Sequence, residues 1–337
     1  MVLCAGLGFL FQQPIVLSDG VEHIEVEIKK GQTLSQLAYD WEQQGWLPSA
    51  KILLLQARVL ESAKRIKPGE FVIPRDTKVF DLHALLIQGS SKRYKVSFIE
   101  GTRLTDALIR LKNAPKLLQD IHPLTTEAVK DLLGLENLAE GWLYPDTYVY
   151  QAGDSASSIL KQAHLRMKKV LQQEWQLYLR KVVSNQSEKL PYRSAYEALI
   201  MASIVEKETG QVSERPEIAG VFIRRLQKNM RLETDPTVIY GLGESYSGNL
   251  RKKHLRDRSN LYNTYRNRGL PPTPIALAGR AAINAALNPD DGHNLYFVAK
   301  GDGSHYFSAS LAEHNRAVRK YQIFRRSRNY RSAPVAN

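Results

Sequence analysis

Two glutamates end an otherwise apolar stretch, "ALIMASIVEKETG", at residues 198–210. On a helix of 3.6 residues per turn, its apolar residues fall on nearly every side, which is typical of a helix in the core of a larger protein. Glu206 lies one turn beyond Ala202 on an apolar face, and Glu208 lies one turn beyond Ile204. Either carboxyl group could therefore emerge from the core into a cleft. Apolar surroundings there would raise its pKa and suit it to donate a proton near neutral pH.

A solvated last helical turn is the alternative interpretation of the same residues, because helix ends commonly carry charges and Gly210 follows. Two negative charges at a helix C-terminus nevertheless oppose the helix macrodipole and are locally unfavourable. The pattern therefore favours a role other than stability.

Metal and nucleophile chemistries have little support in the sequence. The single cysteine, Cys4, excludes an intrachain disulfide and a zinc site built on cysteines. His293, His305 and His314 are close in sequence, but a predicted hairpin and a predicted helix separate them, which is more typical of independent hydrogen-bonding histidines than of a metal site. HExxH, P-loop and nucleophile-elbow motifs are absent from the sequence. We predict no metal and no cofactor.

Polar and aromatic side chains are dense in three later segments, residues 231–243, 262–275 and 295–308. Aromatic rings stack on sugar rings, and amides and hydroxyls bind sugar hydroxyl groups, so this set suits a carbohydrate cleft. Tyrosines also fill protein cores, which is the alternative. The residues concerned are Tyr240, Tyr246, Tyr262, Tyr265, Tyr306, Asp235, Asn263, Thr264 and Asn315.

The elements ahead of these segments begin with a small unit. Alternating apolar and charged residues predict a strand over 22–28, and Thr33 with Gln36 forms a capping-box pattern that predicts a helix start. Ser49 is expected to cap a second helix, and "KPGEFVIP" predicts a turn and a strand ending at Pro74. The result is a self-contained β-α-α-β unit.

The rest of the chain alternates helices with loops. Helices are predicted over 79–89, from Thr102 and over 155–183, with 231–243 as a loop. Ser310, three residues before Glu313, predicts the start of the last helix. These patterns predict an α+β protein.

Composition limits the partners and the location. The 337 residues carry a net charge of +13, which indicates an anionic neighbour such as nucleic acid, a membrane surface or an acidic polymer. The first eleven residues are apolar, fewer than the roughly 20 that a spanning helix needs. They are interpreted either as the end of an anchor that begins outside this chain or as a short buried segment.

Several motifs together resemble one family, the endolytic murein transglycosylases of the MltG/YceG type. The resemblance runs in order from about residue 22 to about residue 325. The motifs are "EGWLYPDTY", "ASIVEKE", "MRLETDPTVIYGLG", "YNTY", "GLPPTPI", "LYFVAKGDGSHYFS" and "HNRAV".

The resemblance implies a fold and a set of divisions. The expected fold is α+β, with a small LysM-like β-α-α-β subdomain followed by a larger mixed α+β catalytic domain. Residues 1–21 are expected to be the remnant of a membrane anchor and its linker, 22–95 the LysM-like region, 96–325 the YceG-like catalytic domain and 326–337 a basic tail.

The resemblance also implies an activity: cleavage of the bond between N-acetylmuramic acid and N-acetylglucosamine within peptidoglycan strands, leaving 1,6-anhydro ends and terminating strand elongation. It places the catalytic acid at Glu206. The candidates for substrate binding are Glu208, Asp235, Tyr240, Asn263, Tyr265 and His305.

The resemblance further implies a bacterial inner-membrane protein with one N-terminal span and a body in the periplasm, although the apolar segment here is shortened to Val2–Phe11. Peptidoglycan strands, the membrane and cell-wall synthases are the expected partners, and nucleic acid is not expected. The alternative is a non-catalytic peptidoglycan-binding scaffold of the cell-wall synthesis machinery.

Overall fold

The computed structural model describes residues 13–29, 31–89 and 92–324. The apolar segment Val2–Phe11 and the basic tail 326–337 lie outside these ranges, so the expectations for them stay predictions. Within the described ranges, no helix is both long enough and apolar enough to cross a membrane. The chain divides into two compact units.

The first unit has the β-α-α-β order expected from the sequence. Its elements are β1 (His23–Ile28), α1 (Leu34–Gln43), α2 (Ala50–Val59), a 3₁₀ turn (Ala63–Arg65), β2 (Gly69–Pro74), α3 (Val79–Gln88) and β3 (Tyr94–Ser97). β1 and β2 are antiparallel, with Val26 opposite Phe71. Both side chains join a core that α1, α2 and α3 cover.

Local signals explain where the first two helices begin. The predicted capping box is formed at α1, where Gln36 N–H donates to Thr33 Oγ1 at 3.3 Å and Thr33 N–H donates to Gln36 Oε1 at 3.1 Å. Ser49 is the N-cap residue of α2 as predicted, but its side chain makes no capping hydrogen bond. The Ala50 N–H donates instead to Glu42 Oε1, at 3.1 Å.

The first unit is discontinuous in sequence. Of the described residues, it contains those up to residue 96 together with 113–120 and 149–156. The expected division at residues 95 and 96 lies close to its first limit, but a single cut does not separate the two units. The finer domain limits stay predictions.

The second unit contains most of the helices. Its elements are α4 (Leu104–Lys112), α5 (Thr126–Leu133), α6 (Ala156–Val183), α7 (Ala195–Glu208), α8 (Arg215–Gln227), α9 (Asp235–Leu242), α10 (Lys252–Arg256), α11 (Arg280–Leu287) and α12 (Leu311–Val318), with a hairpin of β5 (Tyr296–Ala299) and β6 (His305–Ser308). The strand β4 (Thr147–Tyr150), of which residues 149 and 150 belong to the first unit, pairs with β3.

Helix α7 is the centre of the second unit. Every residue from Ala198 to Glu206 is buried, as the all-round apolar pattern predicts. The helix packs against α8 and α11. The one serine in the apolar run, Ser203, is satisfied because its hydroxyl donates to the Ile200 carbonyl at 2.7 Å and accepts the Ile275 N–H at 3.0 Å.

One predicted loop is a helix. Residues 231–243 contain α9, which begins at Asp235 and has Pro236 in its first turn. Proline is tolerated there because the first N–H groups of a helix have no partner within it, and an aspartate at that end is favoured by the helix macrodipole. A smaller difference is that α4 begins at Leu104, two residues later than expected.

Candidate functional site

Glu206 lies in the interior of the second unit. Its Oε1 accepts a hydrogen bond from Arg215 Nη2 at 2.6 Å, and its Oε2 accepts the Gly279 N–H at 2.9 Å. The side chains of Glu206 and Arg215 are only 4% and 6% exposed. The pKa of Glu206 is raised above its ordinary value, because burial and the nearby Glu100 charge outweigh the Arg215 charge and the Gly279 hydrogen bond, which lower it. Each of its carboxylate oxygens therefore accepts one hydrogen bond from the protein itself.

Glu208, the last residue of α7, reaches different partners. The Thr234 hydroxyl donates a hydrogen bond to its Oε1. Burial raises the pKa of Glu208 to about 7, while the Thr234 hydrogen bond opposes this rise and the nearby Asp235 charge adds to it. A carboxyl group that titrates near neutral pH can both donate and accept a proton there.

Thr234 is positioned by the segment that follows α10. Its N–H donates to Thr264 Oγ1 at 3.1 Å, and Thr237 Oγ1 lies 2.9 Å from the same oxygen. The preceding residue, Glu233, has a left-handed backbone with φ 55°, which is costly for a residue other than glycine. Thr234 is the N-cap residue of α9 but makes no side-chain capping bond. Its hydroxyl is directed to Glu208 instead.

Glu208 lines a groove of about 620 Å³, which we call the polar groove. Asp235 and Tyr265 line it as well, and the Tyr265 hydroxyl donates to Asp235 Oδ1 at 2.8 Å. Burial and the Asp235 charge raise the pKa of Tyr265, so its hydroxyl keeps its proton. The further lining residues include Lys207, Arg225, Glu233, Thr234, Tyr296, Val298, His305, Leu311, His314 and Val318.

A second cluster in the polar groove is organised by the buried Arg225. Its Nη1 donates to the carbonyls of Arg231 and Leu232 at 2.9 and 3.0 Å and lies 3.1 Å from Glu233 Oε2. Its guanidinium carbon lies 4.9 Å from the centre of the Tyr296 ring. Arg225 thus joins the segment ahead of α9 to the β5–β6 hairpin, and both contribute lining residues to the groove.

His305, a predicted substrate-binding residue, lines the polar groove but has a protein partner. Its Nδ1 lies 2.8 Å from Glu214 Oε2, and its N–H donates to Glu214 Oε1 at 2.9 Å. The ring packs edge-on against Phe297. His305 therefore anchors β6 to the start of α8.

Two other residues predicted to bind substrate, Asn263 and Tyr240, make hydrogen bonds to protein groups near the groove. Asn263 is fully buried, and its Nδ2 donates to the carbonyls of residues 254, 255 and 257 while its Oδ1 accepts the Tyr265 N–H at 3.0 Å. Tyr240 donates to Glu140 Oε2 at 3.3 Å and packs on Tyr262, outside the described lining of the groove. We expect both to act on substrate binding indirectly.

Sequence reasoning missed three groups that the structure makes prominent. Arg215 pairs with Glu206, and Thr234 donates to Glu208. Neither contact could be predicted from the sequence, because the partners are not three or four residues apart on one helix. Glu140 is 5% exposed and accepts the Leu104 N–H at 2.9 Å, and burial raises its pKa to about 7. Its position at the start of the aromatic segment 140–150 was the available signal.

The polar groove combines one carboxyl group of raised pKa, a neighbouring carboxylate and walls that carry aromatic and apolar side chains. Among the residues that the structure describes, no group of three or more histidine, cysteine, aspartate or glutamate side chains could hold a metal ion. This arrangement is suited to acid–base catalysis on an uncharged polar chain such as a glycan.

Comparisons with known proteins agree with these features. The model of the YceG-like family matches residues 26–320. A Bacillus subtilis protein named endolytic murein transglycosylase is 29% identical over 343 residues, covering 95% of this chain and 91% of the relative. A Streptococcus pneumoniae protein of the same name is 30% identical over 197 residues, which are 57% of this chain and 34% of that protein. A crystal structure of a yceG-like protein from Listeria monocytogenes is 30% identical with a TM-score of 0.55, covering 88% of this chain and 98% of that one. The chain therefore belongs to the YceG-like family.

Proposed function

We propose that this protein is an endolytic murein transglycosylase, which cuts peptidoglycan strands between N-acetylmuramic acid and N-acetylglucosamine. The observation that carries the proposal is Glu208, whose carboxyl group has a pKa of about 7 and lines the polar groove. The name of the Bacillus subtilis relative, which aligns with 95% of this chain, supports the same activity.

The reaction needs one group that gives and then takes a proton. The Glu208 carboxyl group protonates the glycosidic oxygen as the bond from C1 of the muramic acid to that oxygen breaks. The C6 hydroxyl of the same muramic acid then attacks C1 and transfers its proton to the Glu208 carboxylate. The product is a 1,6-anhydro ring, no water is consumed and Glu208 is again protonated. The intramolecular nucleophile gains from proximity.

We propose Glu208 for this role, and Glu206, where the resemblance places the acid, is the alternative that substitution distinguishes. Glu206 is held in an ion pair with Arg215, its second oxygen accepts the Gly279 N–H, and it lies outside the described lining of the polar groove. Glu208 lines the groove, and among the described residues only the Thr234 hydroxyl donates to it, at Oε1, so Oε2 is available to substrate. In this proposal Glu206 is a positioning residue that fixes the end of α7.

Asp235 and Tyr265 are assigned to the developing positive charge on the sugar ring. Asp235 is exposed at the start of α9, and its hydrogen bond from Tyr265 fixes its direction. A carboxylate near an oxocarbenium-like transition state stabilises it electrostatically. Hydrolysis with Asp235 as a second catalytic carboxylate is the alternative that product analysis has to exclude.

The remaining expectations belong to this proposal. A cell-wall enzyme acts outside the cytoplasm, so we infer an extracytoplasmic body held to the inner membrane by an N-terminal span. The first unit, with its β-α-α-β order, is proposed to be LysM-like and to bind glycan. The net charge of +13 suits the anionic membrane surface and the carboxylate-bearing peptides of peptidoglycan, with cell-wall synthases as further partners.

Product chemistry tests the reaction. Purified protein is incubated with peptidoglycan sacculi in water enriched in heavy oxygen, and the released fragments are analysed by mass spectrometry. We expect 1,6-anhydromuramic ends, lighter by one water than hydrolysed ends and without heavy oxygen, on fragments of many lengths from the earliest times. Reducing muramic acid ends that carry heavy oxygen would show hydrolysis instead.

Substitution tests the assignment of the acid. Glu208→Gln is expected to lower kcat by about 10²- to 10⁴-fold with the fold retained, which is the usual contribution of a general acid–base group. If Glu208→Gln cleaved strands at the unsubstituted rate while a folded Glu206→Gln protein did not, the acid would be Glu206. If the protein is a non-catalytic scaffold, the unsubstituted protein and both variants will bind sacculi and release no fragments.

A further inference from the structure

His314, on α12, has an unpartnered nitrogen inside the second unit. Its Nδ1 is buried and has no hydrogen-bond partner within the part of the chain that the structure describes. Buried polar atoms are nearly always paired, so an unpaired one calls for an explanation. The proposed reaction assigns no role to this side chain.

The lack of a partner indicates which nitrogen of His314 carries the proton. A buried N–H without an acceptor is rarer and more costly than a buried lone pair without a donor. The proton therefore belongs on Nε2. Burial and the nearby Arg225 guanidinium hold the pKa of His314 below its usual range, although Glu233 opposes them, so the ring is uncharged at neutral pH.

His314 lines the polar groove. Because Nδ1 is shielded, Nε2 is the nitrogen that the ring can present to that groove, as a neutral donor. The ring is fixed by stacking on Tyr296, with centroids 5.2 Å apart and planes at 27°. Leu311 and Val318, from the same helix, line the groove as well.

A fixed neutral donor beside apolar side chains matches an acetamido group. Its carbonyl oxygen accepts one hydrogen bond, and its methyl group packs on apolar surface. A carboxylate would gain more from a charged partner, which the uncharged ring is not. We propose that His314, with Tyr296, Leu311 and Val318, forms a subsite of the polar groove that binds the N-acetyl group of an amino sugar through Nε2.

This inference rests on the proposed function, since it names a part of the strand that the groove holds. It is tested by binding in the Glu208→Gln background, which does not require turnover. The ligands are soluble glycan strands in three forms: intact, chemically de-N-acetylated, and stripped of their peptides. Isothermal titration gives the Kd of each form.

Three substitutions separate the contributions of the ring. His314→Phe keeps the stacking surface without nitrogen, His314→Gln places an amide nitrogen near the Nε2 position, and His314→Asn places one near the Nδ1 position. The loss of one hydrogen bond corresponds to a rise in Kd for intact strands of about 3- to 10-fold. We expect this rise for Phe and Asn and not for Gln. His293→Phe is the matched control, because His293 is exposed and lies outside the described lining of the groove.

De-N-acetylation of the strands should raise the Kd of the protein that keeps His314 by a similar factor and should leave the Kd of His314→Phe unchanged. Removal of the peptides should change neither the effect of His314→Phe nor the effect of de-N-acetylation on Kd. Equal binding of intact and de-N-acetylated strands, or a loss that follows peptide removal, would overturn the subsite. If His314→Phe does not fold, the Gln and Asn variants carry the same comparison. Failure of the proposed function is separate, because it would appear as no cleavage by the protein with Glu208 in place.

Discussion

Glu206→Gln and Glu208→Gln are expected to change the stability of the protein in opposite directions, although the two residues are neighbours on one helix. Glu206 has a buried cationic partner in Arg215, whereas Glu208 has no ion-pair partner among the residues that the structure describes and lies near another carboxylate, Asp235. The first substitution leaves the buried guanidinium with only the more distant carboxylate of Glu100, whose Oε2 lies 4.0 Å from Arg215 Nη2. The second removes a carboxyl group that the folded protein disfavours in its charged form.

The magnitudes follow from the environments of the two groups. Breaking a buried ion pair by removing one partner typically costs about 3–5 kcal/mol, which we expect for Glu206→Gln near neutral pH. For Glu208 the folded pKa of about 7 exceeds the ordinary value of 4.5. At about 1.4 kcal/mol for each tenfold change in proton affinity, this difference corresponds to a destabilisation of roughly 3–4 kcal/mol well above pH 7.

The sign of the pH dependence is fixed by that difference. Between pH 4.5 and about pH 7 the folded protein binds more protons at Glu208 than the unfolded chain does, so its contribution to stability falls as pH rises. Glu208→Gln removes this loss. The substituted protein should therefore gain stability over the unsubstituted protein at about pH 8 and only slightly at about pH 5.

Urea unfolding monitored by circular dichroism at these two pH values measures the effect. Glu244→Gln serves as the control because Glu244 is exposed in a short 3₁₀ turn, and it should change neither midpoint. The reasoning is refuted if Glu208→Gln gains no more stability at the higher pH than at the lower one, or if Glu206→Gln unfolds at the same urea concentration as the unsubstituted protein.

Three further outcomes follow from the same site. Asp235→Asn should move the alkaline limb of the pH profile of kcat/KM to lower pH, because the Asp235 charge raises the pKa of Glu208, and a limb that stays in place contradicts this coupling. Thr234→Val should move the same limb to higher pH, because the lost hydrogen bond favours the carboxylate, and a downward shift would count against it. Asn263→Ala should lower the free energy of unfolding by about 1–3 kcal/mol, since it removes the buried amide that donates to the carbonyls of residues 254, 255 and 257. An unchanged urea midpoint would exclude that role.

The parts of the fold that sequence predicts are those set within a few residues. Thr33 and Gln36 carry the whole capping box between them, and the all-round apolar pattern of α7 is sufficient to place it in a core. The start of α9 was predicted as a loop because Asp235 followed by Pro236 is a common turn sequence as well as a helix start. Ser49 is the N-cap residue of α2, as predicted, but its side chain makes no capping bond, and Glu42 from the previous helix accepts the Ala50 N–H instead.

The sequence does not show the hydrogen-bond partners of the two glutamates, because those partners come from other elements. Arg215 reaches Glu206 from α8, and Thr234 reaches Glu208 from a segment 26 residues away. A helical wheel gives the direction of each side chain relative to its own helix and says nothing about which of them meets a cation. The apolar face that suggested a proton donor at Glu206 also encloses its ion pair.

The discontinuity of the first unit limits how this protein can be divided or recombined. Residues 113–120 and 149–156 belong to that unit. Lys116 Nζ lies 3.2 Å from Glu70 Oε1, and the nearly fully buried ring of Tyr150 stacks on that of Tyr94 with centroids 5.7 Å apart. A truncation that removes the chain up to residue 96 would leave both segments behind and expose Tyr150 to solvent. An exchange of the first unit between relatives would need to carry three separate stretches of sequence. Gene fusions and fragments made at a single junction are therefore poor tests of what each unit does alone.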